Sequence, residues 1–128
     1  MYQPSYVSLE TALSYYSIIP EVSMAVTSIT TKPTRKYKNS HGLFLYHTVR
    51  PGIFKGYSIE EIRGFPVLIA EPEKAFIDHL YFQTYRKKKF ELPDQRFDKG
   101  KIRAFNRKKV TRYARLYDLD VGEIYVNI

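Results

Sequence analysis

The chain of 128 residues has the length of one domain, and with 44% hydrophobic and 27% charged residues it has the composition of a folded protein. The absence of cysteine excludes disulfides, thiol nucleophiles and cysteine-ligated zinc, and no apolar run approaches the roughly 20 residues that span a bilayer. The net charge of +8 favours polyanions or acidic proteins as partners. Residues 1–8 lack the basic and apolar regions of a signal peptide, so we expect a single cytoplasmic domain over residues 1–128, with no membrane association.

The first predicted element is a helix from Leu9 to about Ser17. Ser8 is a good N-cap residue, and Glu10 lies in the first turn, where a carboxylate meets the positive end of the helix dipole. Pro20 ends helical structure soon afterwards. Apolar residues recur at the spacing i, i+3, i+4 and i+7 of a buried helix face, namely at Leu9, Ala12, Leu13 and Tyr16.

From Met24 to Val49 the pattern is that of β-strands, because β-branched and alternating apolar residues dominate. Lys32-Pro33 interrupts the pattern, and Asn39-Ser40-His41-Gly42 has the composition of a turn. We therefore predict an antiparallel meander with a hairpin at Asn39–Gly42. Its three strands are expected at about residues 26–31, 34–38 and 43–49.

A second group of short elements follows between residues 54 and 70. Residues 54–62 fit a strand, although 60–62 also fit one turn of helix. Arg63-Gly64-Phe65-Pro66 has turn composition, and Val67–Ala70 is a short apolar run bounded by breakers, which is typical of a buried strand.

The next predicted helix starts at Pro72 and extends to about Tyr85. Proline suits the first helical position, where its missing N–H is not needed, and Glu71 and Glu73 lie at the end that the helix dipole favours for carboxylates. Because this helix is apolar on nearly all sides, it is expected at the centre of the core or under a partner.

The C-terminal third contains a last helix, Arg107 to about Tyr117, for which Asn106 is the predicted N-cap. Asp98 is expected to cap a short helical turn before it, and residues 121–128 fit an edge strand or an extension. The helix has an apolar face of Val110, Tyr113, Ala114 and Tyr117. Together the elements predict an α+β fold in which an antiparallel sheet packs with three or four helices.

Three stretches resemble, in their order and spacing, the C-terminal region of the AbiEi-type antitoxin family of type IV toxin–antitoxin systems. The resemblance covers the chain from about Tyr2 to Tyr117, and the three stretches are specific only as a set. They are residues 4–16 (Pro-Ser-Tyr-Val-Ser-Leu-Glu-Thr-Ala-Leu-Ser-Tyr-Tyr), then Ile19-Pro20-Glu21 with Val26–Thr30 and Thr34-Arg35, and then residues 71–78 (Glu-Pro-Glu-Lys-Ala-Phe-Ile-Asp). The motif residues are Pro4, Ser5, Tyr6, Ser8, Leu9, Pro72, Glu73 and Lys74.

The resemblance implies a bacterial antitoxin and transcriptional regulator of an abortive-infection type, and no enzyme. In that family an N-terminal winged helix binds DNA, and the region similar to this chain is associated with antitoxin activity. The cognate toxin is a nucleotidyltransferase-like protein that is countered without a stable complex. No winged helix precedes the first motif here, so repression through it is not carried over, and we expect either a fragment or a naturally short member.

The residues themselves offer no convincing catalytic site. Glu73 and Lys74 are adjacent, so on a helix they point about 100° apart, which favours capping over a nuclease cluster with Glu71 and Asp78. The histidines, His41, His47 and His79, lack zinc-ligand spacing. The sequence contains neither a Gly-x-Ser-x-Gly elbow nor a phosphate loop. We expect no cofactor and no metal.

The positive charge is predicted to belong to residues 86–115, which contain thirteen Lys and Arg against three Asp and Glu. This segment is either a solvated surface or a contact for phosphates, which would bind weakly and with strong salt dependence. Tyr113 is expected in the core, whereas Tyr85 fits either the core or base stacking. The alternative function is therefore a basic nucleic-acid-binding module. The candidate contact residues are Arg86, Lys87, Lys88, Lys89, Lys108, Arg112 and Arg115.

Overall fold

The computed structural model describes residues 2–22, 24–87 and 97–119, apart from the side chains of residues 84–87. The predicted α+β class is confirmed, since helices pack against one mixed sheet. A 3-10 turn, Pro51–Ile53, links the fourth and fifth strands. The other described elements are β1 (Ser5–Val7), α1 (Leu9–Tyr15), β2 (Ala25–Thr30), β3 (Arg35–Asn39), β4 (Gly42–Thr48), β5 (Tyr57–Ile62), β6 (Phe65–Ala70), α2 (Pro72–Lys87), α3 (Lys99–Arg103) and α4 (Arg107–Leu116).

The strands lie in the order β3-β4-β2-β1-β6-β5, so the predicted meander is wrong in its order. β4 inserts between β2 and β3 and runs parallel to β2, and β1 and β6 are also parallel. The hairpin at Asn39–Gly42 is confirmed, with these two residues paired. The charges on β3 explain the order, because a strand with Arg35, Lys36 and Lys38 suits an edge, whereas the apolar β4 suits the interior.

The central strand β1 was not predicted from the sequence. It covers only Ser5–Val7, which is too short to show an alternating pattern. Nevertheless it joins the two halves of the sheet, because it pairs antiparallel with β2 and parallel with β6. The N-terminal motif of the sequence therefore lies in the middle of the sheet.

The β5–β6 hairpin corrects two details of the sequence reading. Residues 57–62 are all strand, so the helical alternative for 60–62 is wrong. The turn consists of Arg63 and Gly64 alone, while Phe65 and Pro66 belong to β6. Both turn residues have positive φ, 53° and 83°, as a type I′ turn requires, and glycine adopts that conformation without strain.

The predicted caps of the last two helices are confirmed. The Asp98 carboxylate accepts from Lys101 N at 3.1 Å, and the Asn106 side chain accepts from Lys108 N at 3.0 Å and Lys109 N at 3.2 Å. Ser8 does precede α1, but its side chain makes no capping hydrogen bond. Its hydroxyl is used elsewhere, as described below.

Helices α1 and α2 lie on one face of the sheet. Residues of β1, β2 and β4 that share this face contact them: Tyr6 bonds to α2, Thr27 bonds to Thr11 of α1, and His47 lies 5.1 Å from the Phe82 ring. Side chains at the alternate positions of β3 and β4 belong to the other face. Residues 88–96 and 121–128 lie outside the described residues, so the expectations for Lys88, Lys89 and the tail stay predictions.

Candidate functional site: a buried carboxylate beneath a basic helix

Four side chains, three of them from distant parts of the sequence, converge on the carboxylate of Asp78. Lys74 Nζ and the Tyr117 hydroxyl each donate to Oδ1 at 2.6 Å. The Tyr6 hydroxyl donates to Oδ2 at 3.0 Å, and Ser8 Oγ donates to the same oxygen at 2.7 Å. Lys74 Nζ also donates to the Tyr6 hydroxyl at 2.8 Å. We call these five residues the Asp78 network.

The elements place each member for a local reason. Tyr6 is in the middle of β1 and Ser8 directly follows that strand. Lys74 and Asp78 are four residues apart on α2, which puts them on the same helix face. Tyr117 directly follows α4. The network therefore ties β1, α2 and the end of α4 to one carboxylate.

The network is enclosed by protein, and this sets its electrostatics. Lys74 and Asp78 are 0% exposed, and Tyr117 is 6% exposed. Burial lowers the pKa of Lys74, although the charge and hydrogen bond of Asp78 oppose that change. Burial, followed by the negative charge of Asp78, raises the pKa of Tyr6 and of Tyr117 well above the ordinary value. The two tyrosine hydroxyls therefore stay protonated and act as donors.

The Asp78 network has a structural role, because the hydrogen-bonding capacity of the carboxylate is used within the protein. A carboxylate offers about four acceptor positions, and here it receives four hydrogen bonds. Since Tyr6, Lys74 and Asp78 are at most 1% exposed, a substrate has no access to them in this conformation. The network fixes how the elements pack and does not present a reactive group.

The structure brings together Tyr6, Ser8 and Lys74 of the motif residues, and separates the others. Leu9 is buried in the core, and Pro72 is the first residue of α2. Pro4 and Ser5 lie beside β2, where the Pro4 carbonyl accepts from Thr30 Oγ1 at 2.7 Å and Ser5 pairs with Thr30. Glu73 lies outside the network.

Glu71 and Glu73 accept hydrogen bonds from α4 and from Asn106, which precedes it, so neither carboxylate belongs to the Asp78 network. Glu73 Oε2 accepts from Asn106 N at 3.1 Å. Glu71 accepts from Lys109 Nζ at 2.8 Å and from the Tyr113 hydroxyl. Burial would raise the pKa of Glu71, but the hydrogen bonds from Lys109 and Tyr113 outweigh it and hold the pKa below its usual value.

The candidate contact residues on α4 form one exposed face. Lys108, Arg112 and Arg115 are all exposed, at a spacing that puts them on the same side of the helix. Tyr113 is on the other side, 4% exposed, as predicted for a core residue. Residues 97–119 contain eight Lys and Arg against two Asp. The side chains of Tyr85, Arg86 and Lys87, and residues 88 and 89, lie outside the described part.

A second basic stretch of the sequence, residues 22–59, was missed. Residues 22–59 contain six Lys and Arg and no Asp or Glu, so the assignment of the positive charge to residues 86–115 alone is wrong. The rest of the chain outside residues 86–115 has a slightly negative net charge, and this total concealed the basic stretch. The Asp and Glu residues that make the total negative all lie outside residues 22–59. A charge count in windows, in place of one total, would have found it.

Asp78 was also missed as the centre of the network. The usable signal was the i, i+4 spacing of Lys74 and Asp78 among the apolar residues 75–77 and 80–82, since buried charges are rarely unpaired. The hydroxyl donors could not be found in this way, because Tyr6 and Tyr117 are 72 and 39 residues away from Asp78 in the sequence.

Comparison with protein-family models, with curated proteins and with solved structures finds no match to this chain. Among the described residues, no group of three His, Asp or Glu could hold a metal ion. His47 and His79 instead have aromatic neighbours, Phe82 at 5.1 Å and Phe97 at 5.9 Å. None of the helices in the described ranges is both long and apolar enough to cross a membrane.

Proposed function

We propose that this chain is a non-enzymatic regulatory domain of the antitoxin kind, similar to the C-terminal region of AbiEi-type antitoxins. The observation that supports this most is the meeting of the two outer motifs at one carboxylate. Tyr6 and Ser8 come from the first motif and Lys74 and Asp78 from the last, some 70 residues later. Residues that carry the resemblance are thus the residues that hold the fold together. A cytoplasmic, bacterial location follows from this proposal.

The domain acts, in this proposal, through the exposed basic face of Lys108, Arg112 and Arg115. Stable protein complexes usually bury an apolar centre. The large apolar side chains that are exposed in the described ranges lie on α1, on residues 22–24 and on the β5–β6 hairpin, not on α3 or α4. A charged face of this kind suits a transient contact, which agrees with an antitoxin that counters a nucleotidyltransferase-like toxin without a stable complex.

Reversing the charge of this face is expected to abolish antitoxin rescue while the fold survives. The change is Lys108→Glu, Arg112→Glu and Arg115→Glu, and the measurement is the growth of cells that co-express the toxin. All three side chains are exposed, so circular dichroism and the melting temperature should stay close to those of the parent.

A matched control carries the same change in charge at Lys36, Lys38 and Arg63, which are exposed on β3 and in the β5–β6 turn. It should rescue as the parent does. Equal rescue by the α4 variant and the parent would refute the role of this face, and equal loss in both variants would show that only the total charge matters.

The second candidate function is nucleic-acid binding by the same face. The eight Lys and Arg residues within 97–119 favour it. Three phosphate contacts would give a salt slope near −2.7, so duplex affinity should fall about 40-fold between roughly 50 and 200 mM salt. Titration of the purified chain with a labelled duplex at several salt concentrations measures this slope. Affinity that does not change with salt would contradict it.

A further inference from the structure

Four aromatic rings cluster at the edge of the sheet formed by β3 and β4. The Tyr2 ring lies 5.1 Å from Tyr46 and 5.8 Å from Tyr37, and Tyr37 lies 5.8 Å from Tyr46. Together with Phe44 and Asn39 they line a cavity of about 230 Å³. This is smaller than the roughly 300–1,000 Å³ of sites for whole drug-sized ligands, so it suits the entry of a single ring.

Two cations lie over these rings. The Arg35 guanidinium is 4.7 Å from the centre of the Tyr37 ring and 5.5 Å from that of Tyr2. Lys32 Nζ is 5.2 Å from the centre of the Tyr2 ring. We call Tyr2, Lys32, Arg35, Tyr37, Phe44 and Tyr46 the β3–β4 aromatic surface. Residues 22–59 contain no Asp or Glu, so no carboxylate of this segment neutralises the positive charge of Lys32 and Arg35.

The residues that β3 and β4 contribute to this surface lie on one face of the sheet, where part of the surface is accessible to solvent. Arg35 pairs with Tyr46 and Tyr37 pairs with Phe44, so the four side chains share a face. That face is the one opposite to α1 and α2. Tyr37 and Phe44 are half-buried, and Arg35 and Lys32 are exposed. Tyr37 and Phe44 are therefore held by strand pairing and still present part of their area to solvent, whereas Tyr46 is buried, at 5% exposure.

We propose that the β3–β4 aromatic surface binds single-stranded nucleic acid. Unpaired bases stack on aromatic rings and on guanidinium planes, which the paired bases of a duplex cannot do. Here Tyr37, Phe44 and the outer side of the Arg35 guanidinium receive bases, and Lys32 and Arg35 contact phosphates. This site is separate from the α4 face, and the inference does not depend on the proposed function.

The lysines of β3 have a simpler role that does not explain the rings. Lys36 and Lys38 are on the opposite side of the strand from Tyr37, where charged side chains prevent edge-to-edge pairing of sheets. That role requires no aromatic cluster. Arg35 and Lys36 are therefore a matched pair: they are adjacent, both positive and both exposed, but they lie on opposite faces.

The experiment is a fluorescence anisotropy titration of the purified chain with short labelled oligonucleotides. The probes are single-stranded oligouridine and oligothymidine, and a duplex of mixed sequence. We expect both single strands to bind more tightly than the duplex at moderate salt. Tighter binding of oligouridine than of oligothymidine would assign the ligand to RNA, and the reverse would assign it to DNA.

Variants of the surface separate stacking from charge. Tyr37→Ala should weaken single-strand binding about 5- to 100-fold, as loss of one stacked base does, whereas Tyr37→Phe should bind like the parent. Arg35→Ala should weaken binding more than Lys36→Ala. Tyr15→Ala removes an aromatic side chain that is 48% exposed on α1 and should change nothing.

Three outcomes would overturn the inference. The first is equal single-strand affinity of Tyr37→Ala and Tyr37→Phe. The second is loss of binding in the α4 charge-reversal variant combined with full binding by Tyr37→Ala, which would assign the ligand to α4. The third is no single-strand binding by the parent, in which case binding of a polyglutamate peptide to the same surface would identify an acidic peptide as the ligand.

Discussion

Replacing Asp78 by alanine is expected to lower the free energy of unfolding by about 3–5 kcal/mol, the typical effect of removing one partner of a buried ion pair. The change leaves Lys74 at 0% exposure without its counter-charge. It also removes the acceptor of the Tyr6, Ser8 and Tyr117 hydroxyls. Urea unfolding followed by circular dichroism measures the change.

The double replacement Lys74→Met with Asp78→Leu distinguishes an unpaired charge from a packing defect. Since it removes both charges and keeps most of the side-chain volume, it should be less destabilising than Asp78→Ala alone. Glu10→Ala, which removes an exposed carboxylate from α1, should change stability by only about 0.5 kcal/mol. An Asp78→Ala loss below about 1 kcal/mol would contradict the role given to the network.

The free energy of unfolding is expected to fall steeply as the pH rises above about 10.5. Burial, followed by the charge of Asp78, raises the pKa of Tyr6 and Tyr117 above 10.0. The unfolded tyrosines lose their protons near pH 10, while the folded ones keep them. The folded state then binds more protons, so each of the two tyrosines lowers the stability by about 1.4 kcal/mol per pH unit.

Other groups, among them Lys74 and Tyr16, modify this pH dependence. The pKa of Lys74 is lowered by burial, so Lys74 has the opposite effect and stability rises with pH, but only until the unfolded lysine has titrated near pH 10.5. Burial raises the pKa of Tyr16 to about 12, which adds to the loss between pH 10 and 12. The net decline should therefore be clearest above pH 10.5.

Thermal melts at pH 7, 10.5 and 11.5, together with the near-ultraviolet absorbance of tyrosinate, test this dependence. Tyrosinate from the buried residues should form together with unfolding, and Tyr117→Phe should show a shallower decline. Tyr15→Phe, at an exposed position, should decline as the parent does. A melting temperature that is unchanged between pH 10.5 and 11.5 would show that these hydroxyls are not held as the structure describes.

Local signals in the sequence predicted the helices well, while the order of the strands could not be read from it. Asn106 and Asp98 cap the helices that they were expected to cap, because capping depends on the next two or three residues. The parallel pairing of β1 with β6 joins residues more than 60 positions apart, and nothing near Val7 or Ile69 specifies it. Such pairing is decided by the packing of the whole chain.

The α4 face and the β3–β4 aromatic surface also differ in whether local sequence signals predict them. The α4 face was predicted because its charges repeat at helical spacing within eight residues. The β3–β4 aromatic surface requires Tyr2 to lie beside Tyr37 and Tyr46, and only the observed sheet order brings them together. Alternation along β4 puts Phe44 and Tyr46 on one face, but it does not indicate what lies beside them.

The position of Tyr117 has a consequence for synthesis on the ribosome. Asp78 is translated 39 residues before the tyrosine that completes its hydrogen bonds. At about 5–20 residues per second this interval lasts roughly 2–8 s. During that time α2, whose residues 74–80 are all buried in the folded chain, has emerged without α4 to cover it. The nascent chain should therefore bind chaperones until α4 is released, and its core should close only after that point.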